Sequence, residues 1–283
     1  MSLRIDADRF RIWARLCADS LAAARAEIDA LNVFPVPDAD TGTNAYLTFA
    51  AGVEALDADP VPHKVLDVLK RYGEGLLMGA KGNSGTILSE LVRGSLRVLR
   101  TKKRIEGADV VEALEAASKA AYAAVGDPQE GTILTVAAAA AQGAKEAQAQ
   151  GLEAEQVFDA AAQAAREALL MTPSQMERLA KAGVVDAGGR ALVVVLDSIA
   201  QALTGRVPTP APAHLPQPII ETGSDLDEGG PAYEVMYLLK APGRRITPLK
   251  ERLGELGDSL VVVGGDGLWN IHVHVDDVGA AIE

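Results

Sequence analysis

Asp38 and Asp40 stand two residues apart in the segment LNVFPVPDADTGTN, residues 31–44. Pro35 and Pro37 keep this segment out of a helix, and Thr41-Gly42 lets the chain turn, so the two carboxylates can converge on neighbouring hard cations. Mg2+ takes oxygen ligands in an octahedral array and commonly shares them with phosphates. The competing reading is an Asp-rich turn that caps the next helix. A second segment, GAKGNSGTILS at 79–89, carries Gly79, Gly82 and Gly85 around Asn83 and Ser84. It reads as a loop feeding a helix N-terminus, where backbone N–H groups and the helix dipole receive an anion. It is not a Walker A loop, because Gly-Lys-Ser/Thr in that order is missing. Lys81 is read as a solvated loop lysine in preference to a phosphate ligand. Gly131-Thr132 opens another helix. In GVVDAGG, 183–189, Asp186 is placed either to cap a helix or to reach a ribose. Three glycine-bearing helix starts and an aspartate loop together point to nucleotide phosphates held between helix ends and Mg2+.

The elements that must position these groups are helical. Phe10, Trp13, Leu16, Cys17, Leu21, Ala24, Ile28 and Leu31 recur at three- and four-residue steps, which predicts an amphipathic helix over 8–31. Similar patterns predict helices over 44–56, 63–78, 84–101, 108–125, 132–150, 154–171 and 186–204, with a short one capped by Ser174 and Glu177. Ala content suits close helix packing. Residues 1–205 therefore read as one all-helical domain of about eight helices. Residues 206–218 hold five prolines and read as an extended linker that reaches residue 229. Beyond it the period changes. YEVMYLLK (233–240), SLVVVGG (259–265) and LWNIHVHV (268–275) read as strands. The stretch 246–257 reads as a helix with Thr247 as N-cap, and DDVGAAIE starts another that stops almost at once. The expected fold class is mainly α, an eight-helix barrel or bundle followed by a small α/β region over 230–283, with the chain expected to be truncated there.

Composition narrows the function. Net charge is −12, which argues against a nucleic-acid partner, since such proteins present a basic face. Residues 206–283 hold 6 Lys/Arg against 12 Asp/Glu, half of the total excess, so the acidity is not a terminal tail. No run of apolar residues is long enough to span a membrane, and the charged N-terminus lacks the apolar core of a signal peptide; a cytoplasmic protein is expected. The one cysteine, Cys17, excludes an internal disulfide or a Cys-rich metal site and reads as a buried core thiol.

The four segments LNVFPVPDADTGTN, GAKGNSGTILSE, EGTILTVA and GVVDAGGRAL resemble, in order and spacing, the nucleotide-binding domain of the dihydroxyacetone kinase L-subunit superfamily. The likeness is strongest to its fatty acid kinase (FakA-like) branch and covers residues 5–205, with a weaker one over 230–283. The resemblance implies an eight-helix barrel holding ATP at one end, with two Mg2+ ions bridging the phosphates to aspartates. Asp38 and Asp40 match the family's catalytic metal-binding aspartates, and Asn32 stands nearest to a third. Thr41, Asn44, Gly82, Asn83, Ser84, Gly85, Thr132 and Asp186 match nucleotide-contact positions. Ala39 replaces the glycine usual in relatives, and a methyl there opposes a turn with positive φ.

The implied reaction is phosphorylation of a carrier-bound fatty acid to an acyl phosphate, with a fatty-acid-binding acyl-carrier protein as partner and a homodimer as the expected assembly. A carboxylate acceptor is already ionised at pH 7 and needs no general base. The alternatives are a dihydroxyacetone-kinase-like transfer to a small hydroxy substrate and a non-catalytic nucleotide-binding scaffold. Thr41 argues against the phosphotransfer-dependent L-subunits, which have His at that point. In relatives a strand cysteine joins a His-x-His pair in a metal site. Here His272 and His274 are present and the cysteine position reads as Ala232. The pair is expected on an ordinary exposed strand face, with Asp276 as the one substitute ligand and no structural zinc.

Overall fold

The computed structural model describes residues 6–58, 64–205 and 231–283. The expected linker, 206–229, lies outside these. Among the described residues the chain before 205 is helical: α1 (Ala7–Ala30), α2 (Thr41–Asp57), α3 (Val65–Gly79), α4 (Gly82–Leu99), α5 (Gly107–Ala124), α6 (Ile133–Ala149), α7 (Ala154–Gln175), the short α8 (Glu177–Ala182) and α9 (Ala187–Thr204). Each long helix packs on the next, and α9 returns to α1, closing a ring of eight. Consecutive antiparallel helices put alternate connections at alternate ends. The α1–α2, α3–α4, α5–α6 and α7–α9 connections therefore share one end, and these are the segments with the glycines and aspartates. Leu21, Ile28, Phe49, Tyr72, Leu76, Leu88 and Leu134 fill the core, with Ala137, Ala140, Ala161 and Ala165 where helices approach closely. Cys17 is fully buried beside Ser198, and burial pushes its thiol up to about 12. No helix among the described residues is long and apolar enough to cross a membrane.

Two sequence expectations fail at helix ends. Ser174 does not begin a helix: α7 continues through Pro173 to Gln175, and Met176 is the N-cap of α8. Proline deprives the Leu169 carbonyl of its helical partner. The Thr172 hydroxyl donates to that carbonyl at 2.8 Å instead, so the helix survives. Thr247 is also inside its helix, since a 3-10 turn at Gly243–Arg245 leads into α10 (Ile246–Leu256) with Arg245 as N-cap.

The α/β unit comprises β1 (Tyr233–Lys240), α10, β2 (Gly257–Gly265), β3 (Leu268–Val275) and α11 (Val278–Ile282). Its antiparallel sheet has the order β1-β3-β2, with Tyr233 opposite Val275 and Val262 opposite Ile271. Alternation gives the sheet two faces. Leu260, Val262, Ile271, Val273 and Val275 pack with Ile246, Leu253 and Ala281. Val261 and Val263 face the other way and are part of the core of the helical ring.

Candidate active site at one end of the helical ring

The aspartate segment leaves α1 after Leu31, passes through a cis Phe34-Pro35 bond and enters α2 at Thr41. The buried Asn32 donates through Nδ2 to Asp38 Oδ1. Asn44 donates through Nδ2 to Asp40 Oδ2 at 2.7 Å. Asp40 is half-buried, and its carboxyl is pushed up to about 6 by desolvation first and by the neighbouring Asp38 second. A cation bound beside Asp40 would draw that value back down. Ala39, between them, has φ 54, the left-handed backbone that its methyl opposes.

Asn44 also connects this segment to the second one. Gly82 has φ 56, which opposes any side chain, and a Cβ there would stand 2.3 Å from Asn44 Nδ2 and push that amide off Asp40. The Thr48 hydroxyl donates to Asn44 O at 2.7 Å and accepts from the Lys81 N–H at 3.1 Å. Lys81 itself is exposed. Asn83 has a buried Oδ1 without a hydrogen-bond partner, a polar atom that a ligand at the start of α4 would satisfy. Ser84 and the buried Gly85 follow in the same turn.

Thr132 and Asp186 form a second cluster, at the starts of α6 and α9. Thr132 caps α6, accepting from the Leu134 N–H at 3.3 Å. The buried Asp186 caps α9, accepting from the Gly189 N–H at 2.6 Å, and also accepts from the Ile133 N–H. Burial pushes its carboxyl up to about 6 against those two bonds. Of the two readings of Asp186, the capping one describes its contacts.

Sequence reasoning missed three contributors. Asp29, in the last turn of α1, accepts from both the N–H and the hydroxyl of Thr43 at 2.8 Å and so anchors the start of α2 from outside. Thr48 links two segments. Arg178 of α8 donates to the Pro35 carbonyl at 3.0 Å, which brings a cation to the aspartate segment from the connection between α7 and α9. No spacing signal joins these residues to their targets, because each contact is made between helices. A cavity of about 170 Å3, lined by Phe10, Trp13, Leu96, Phe158 and Leu203, lies inside the ring, and no aspartate-segment residue lines it.

A separate donor group lies in the α/β unit. His272 is 1% exposed, so the exposed strand face expected for the pair is incorrect: this face of β3 turns toward the ring, where Asn270 donates to Leu77 O at 3.2 Å. His272 Nε2 and His274 Nε2 are 3.1 Å apart. Their third neighbour is Glu234, directly across β1 from His274, and the three ligand atoms lie within 4.8 Å of one another. Asp276 is engaged elsewhere, accepting from the Ala232 N–H at 3.0 Å. Burial and His274 push His272 down to about 3, which keeps the imidazole neutral, the form that binds a metal. Two imidazoles and a carboxylate suit a divalent transition metal.

A model of the DAK2 domain matches residues 35–201. The chain belongs to the DAK2 domain family. A second model, of the middle domain of FakA-like fatty acid kinase proteins, matches residues 230–283. Protein YloV of Bacillus subtilis is 37% identical over 99% of this chain and 53% of its own length. An uncharacterised protein of Staphylococcus epidermidis is 34% identical over 89% of this chain and 48% of its own. The chain thus spans about half the length of these relatives. The dihydroxyacetone kinase of C. freundii, crystallised with AMP-PNP and Mg2+, superposes with a TM-score of 0.51 at 22% identity, over 68% of this chain and 33% of that one. That likeness is one of fold. The two family models place this DAK2 protein among kinase-related families.

Proposed function

We propose that this chain is the ATP-binding part of a kinase that phosphorylates the carboxylate of a carrier-bound fatty acid, giving an acyl phosphate. The observation that carries the reading is the meeting of the Asp38–Asp40 pair with the Gly82 segment through Asn44, at the end of the ring where four helices start. Asp38 and Asp40, with Asn32 beside them, would hold Mg2+; the raised carboxyl of Asp40 fits a site that gains by binding a cation. The unsatisfied Asn83 Oδ1 and the N-termini of α2, α4, α6 and α9 fit a nucleotide lying across Thr41, Asn44, the segment 82–85, Thr132 and Asp186. When bound, Mg2+ neutralises phosphate charge and aligns the transferring group.

The residues of the chain supply orientation. Asn44 fixes Asp40, Asn32 fixes Asp38, and Asp29 holds the first turn of α2 in place. Arg178 brings positive charge to the rim of the same segment. No general base is required, because the acceptor carboxylate arrives ionised. The α/β unit matches the FakA-like middle-domain model, which supports the acyl acceptor over dihydroxyacetone.

The test is a transfer assay with Mg-ATP and an acyl-loaded fatty-acid-binding carrier, with dihydroxyacetone in parallel. Acyl phosphate is trapped as the hydroxamate. Hydroxamate formed only with the loaded carrier supports the reading. Phosphate found on dihydroxyacetone alone, or ATP bound without turnover on either acceptor, refutes it.

A further inference from the structure

We propose that Lys250 and Asn270 are positioning residues for the nucleotide, because they cap from outside the C-termini of the two helices that feed the second and third glycine segments. The inference rests on the nucleotide reading above and extends the site into the α/β unit.

A helix leaves its last four carbonyls without helical partners and carries partial negative charge at that end. Helix α3 ends at Gly79, three residues before Gly82, and α5 ends at Ala124, before Gly131-Thr132. At α5 the Lys250 ammonium of α10 donates to Ala123 O at 2.6 Å and to Ala124 O at 3.2 Å. At α3 the Asn270 amide of β3 donates to Leu77 O at 3.2 Å. The connection after α5 is held further by β2: Gly126 N–H donates to Leu260 O at 2.8 Å, and Val125 pairs with Val261 as a short antiparallel bridge. Lys250 is half-buried, and burial lowers its pKa, so the bonds to the carbonyls offset a desolvation cost. Lys250 reaches from a different structural unit to a helix whose own last turn has no basic residue.

These caps act on backbone a few residues upstream of Asn83 and Thr132. An α/β unit seated on α3 and α5 favours one arrangement of both segments. Nucleotide held by those segments favours the seated unit in return, since coupling between two binding equilibria is reciprocal. The first and fourth segments follow α1 and α7, whose ends these two residues do not touch.

The experiment uses the whole chain with Mg2+ and AMP-PNP as probe. Calorimetry should give a Kd at least about 5-fold weaker for Lys250→Met than for the unaltered chain, with Lys250→Arg, which keeps the charge, recovering most of the loss. Hydrogen exchange in the unaltered chain should slow on adding the probe not only at 82–85 and 131–133 but also across β2 and at α10. That readout needs no variant to fold, and a lysine that merely glues two units together would not produce it. Equal Kd values for Lys250→Met and the unaltered chain overturn the inference while leaving the nucleotide reading intact. Unchanged exchange across β2 and α10, with binding observed, does the same. Absence of any binding by the unaltered chain overturns both.

Discussion

Asp40 answers two opposing demands. Its carboxyl is raised to about 6 from its ordinary value of 3.8, so between those values the folded chain holds a proton that the unfolded chain has released. Stability of the metal-free chain therefore falls as pH rises through that window and levels off above it. Asp40→Asn removes a charge that burial first and Asp38 second make costly, and should stabilise the metal-free chain at pH 7.5 by about 1 kcal/mol, the pKa shift being discounted for partial solvent exposure. The same variant, and Asp38→Asn, should abolish phosphoryl transfer. Urea unfolding without Mg2+ and the transfer assay check the two halves; a destabilised Asp40→Asn with normal turnover would mean that the pair only shapes a turn. Added Mg2+ should raise the unfolding temperature above pH 6 and lose that effect as protons take its place below it. Ala39 supplies a second residue-scale expectation. At φ 54 its methyl costs about 1 kcal/mol, so Ala39→Gly should raise stability by about that amount in the same unfolding measurement. A turn with positive φ at residue 39 was suggested only by the glycine that relatives carry there, whereas the two aspartates were legible from the sequence. Asp29, Thr48 and Arg178 were not, because their partners lie on other helices.

At the scale of elements, periodicity located the eight long helices and the three strands among the described residues, and it erred at two helix starts, one where a side chain replaced a backbone bond and one where a 3-10 turn led into the helix. Pro173 looks like a terminator, yet the Thr172 hydroxyl takes the carbonyl that proline leaves open. The histidine pair shows the limit of reading a strand alone. Alternation put His272 and His274 on one face, but which face is buried depends on what the sheet packs against, and which residue stands opposite depends on register. Register brings Glu234 of β1 opposite His274, so the third donor comes from a strand some forty residues away. A divalent metal should therefore bind with the stoichiometry of one per chain. Cobalt substitution should give visible d–d bands that Glu234→Gln weakens and His272→Ala removes, while chelation lowers the unfolding temperature of the metal-loaded chain. Metal-free protein after purification without a polyhistidine tag, and no cobalt bands, would leave the trio as a hydrogen-bonded histidine pair with a carboxylate beside it.

The whole molecule differs most from its sequence. A helical stretch, a proline-rich stretch and an α/β stretch read as two units joined by a spacer, and nothing in local pattern says that the second packs on the first. The contacts that join them are long-range: Val261 and Val263 sit in the core of the ring, β2 pairs with Val125, and Lys250 and Asn270 cap α5 and α3. Separating the units would return those valines to water at about 25 cal/mol per Å2 of apolar surface and exchange the caps on the Ala123, Ala124 and Leu77 carbonyls for water, a smaller loss. The whole chain should then unfold as one cooperative body. Scanning calorimetry should show a single transition with a calorimetric to van't Hoff enthalpy ratio of about 1. Lys250→Met should lower its midpoint without splitting it, since the apolar contacts remain. A chain ending at residue 205 should melt several degrees lower than the whole, because its ring has lost part of its core. Two well-separated transitions in the whole chain, the upper one matching the shortened chain, would mean that the α/β unit rests on the ring too weakly to share its stability. It would then have no thermodynamic means of steadying the glycine segments beneath it.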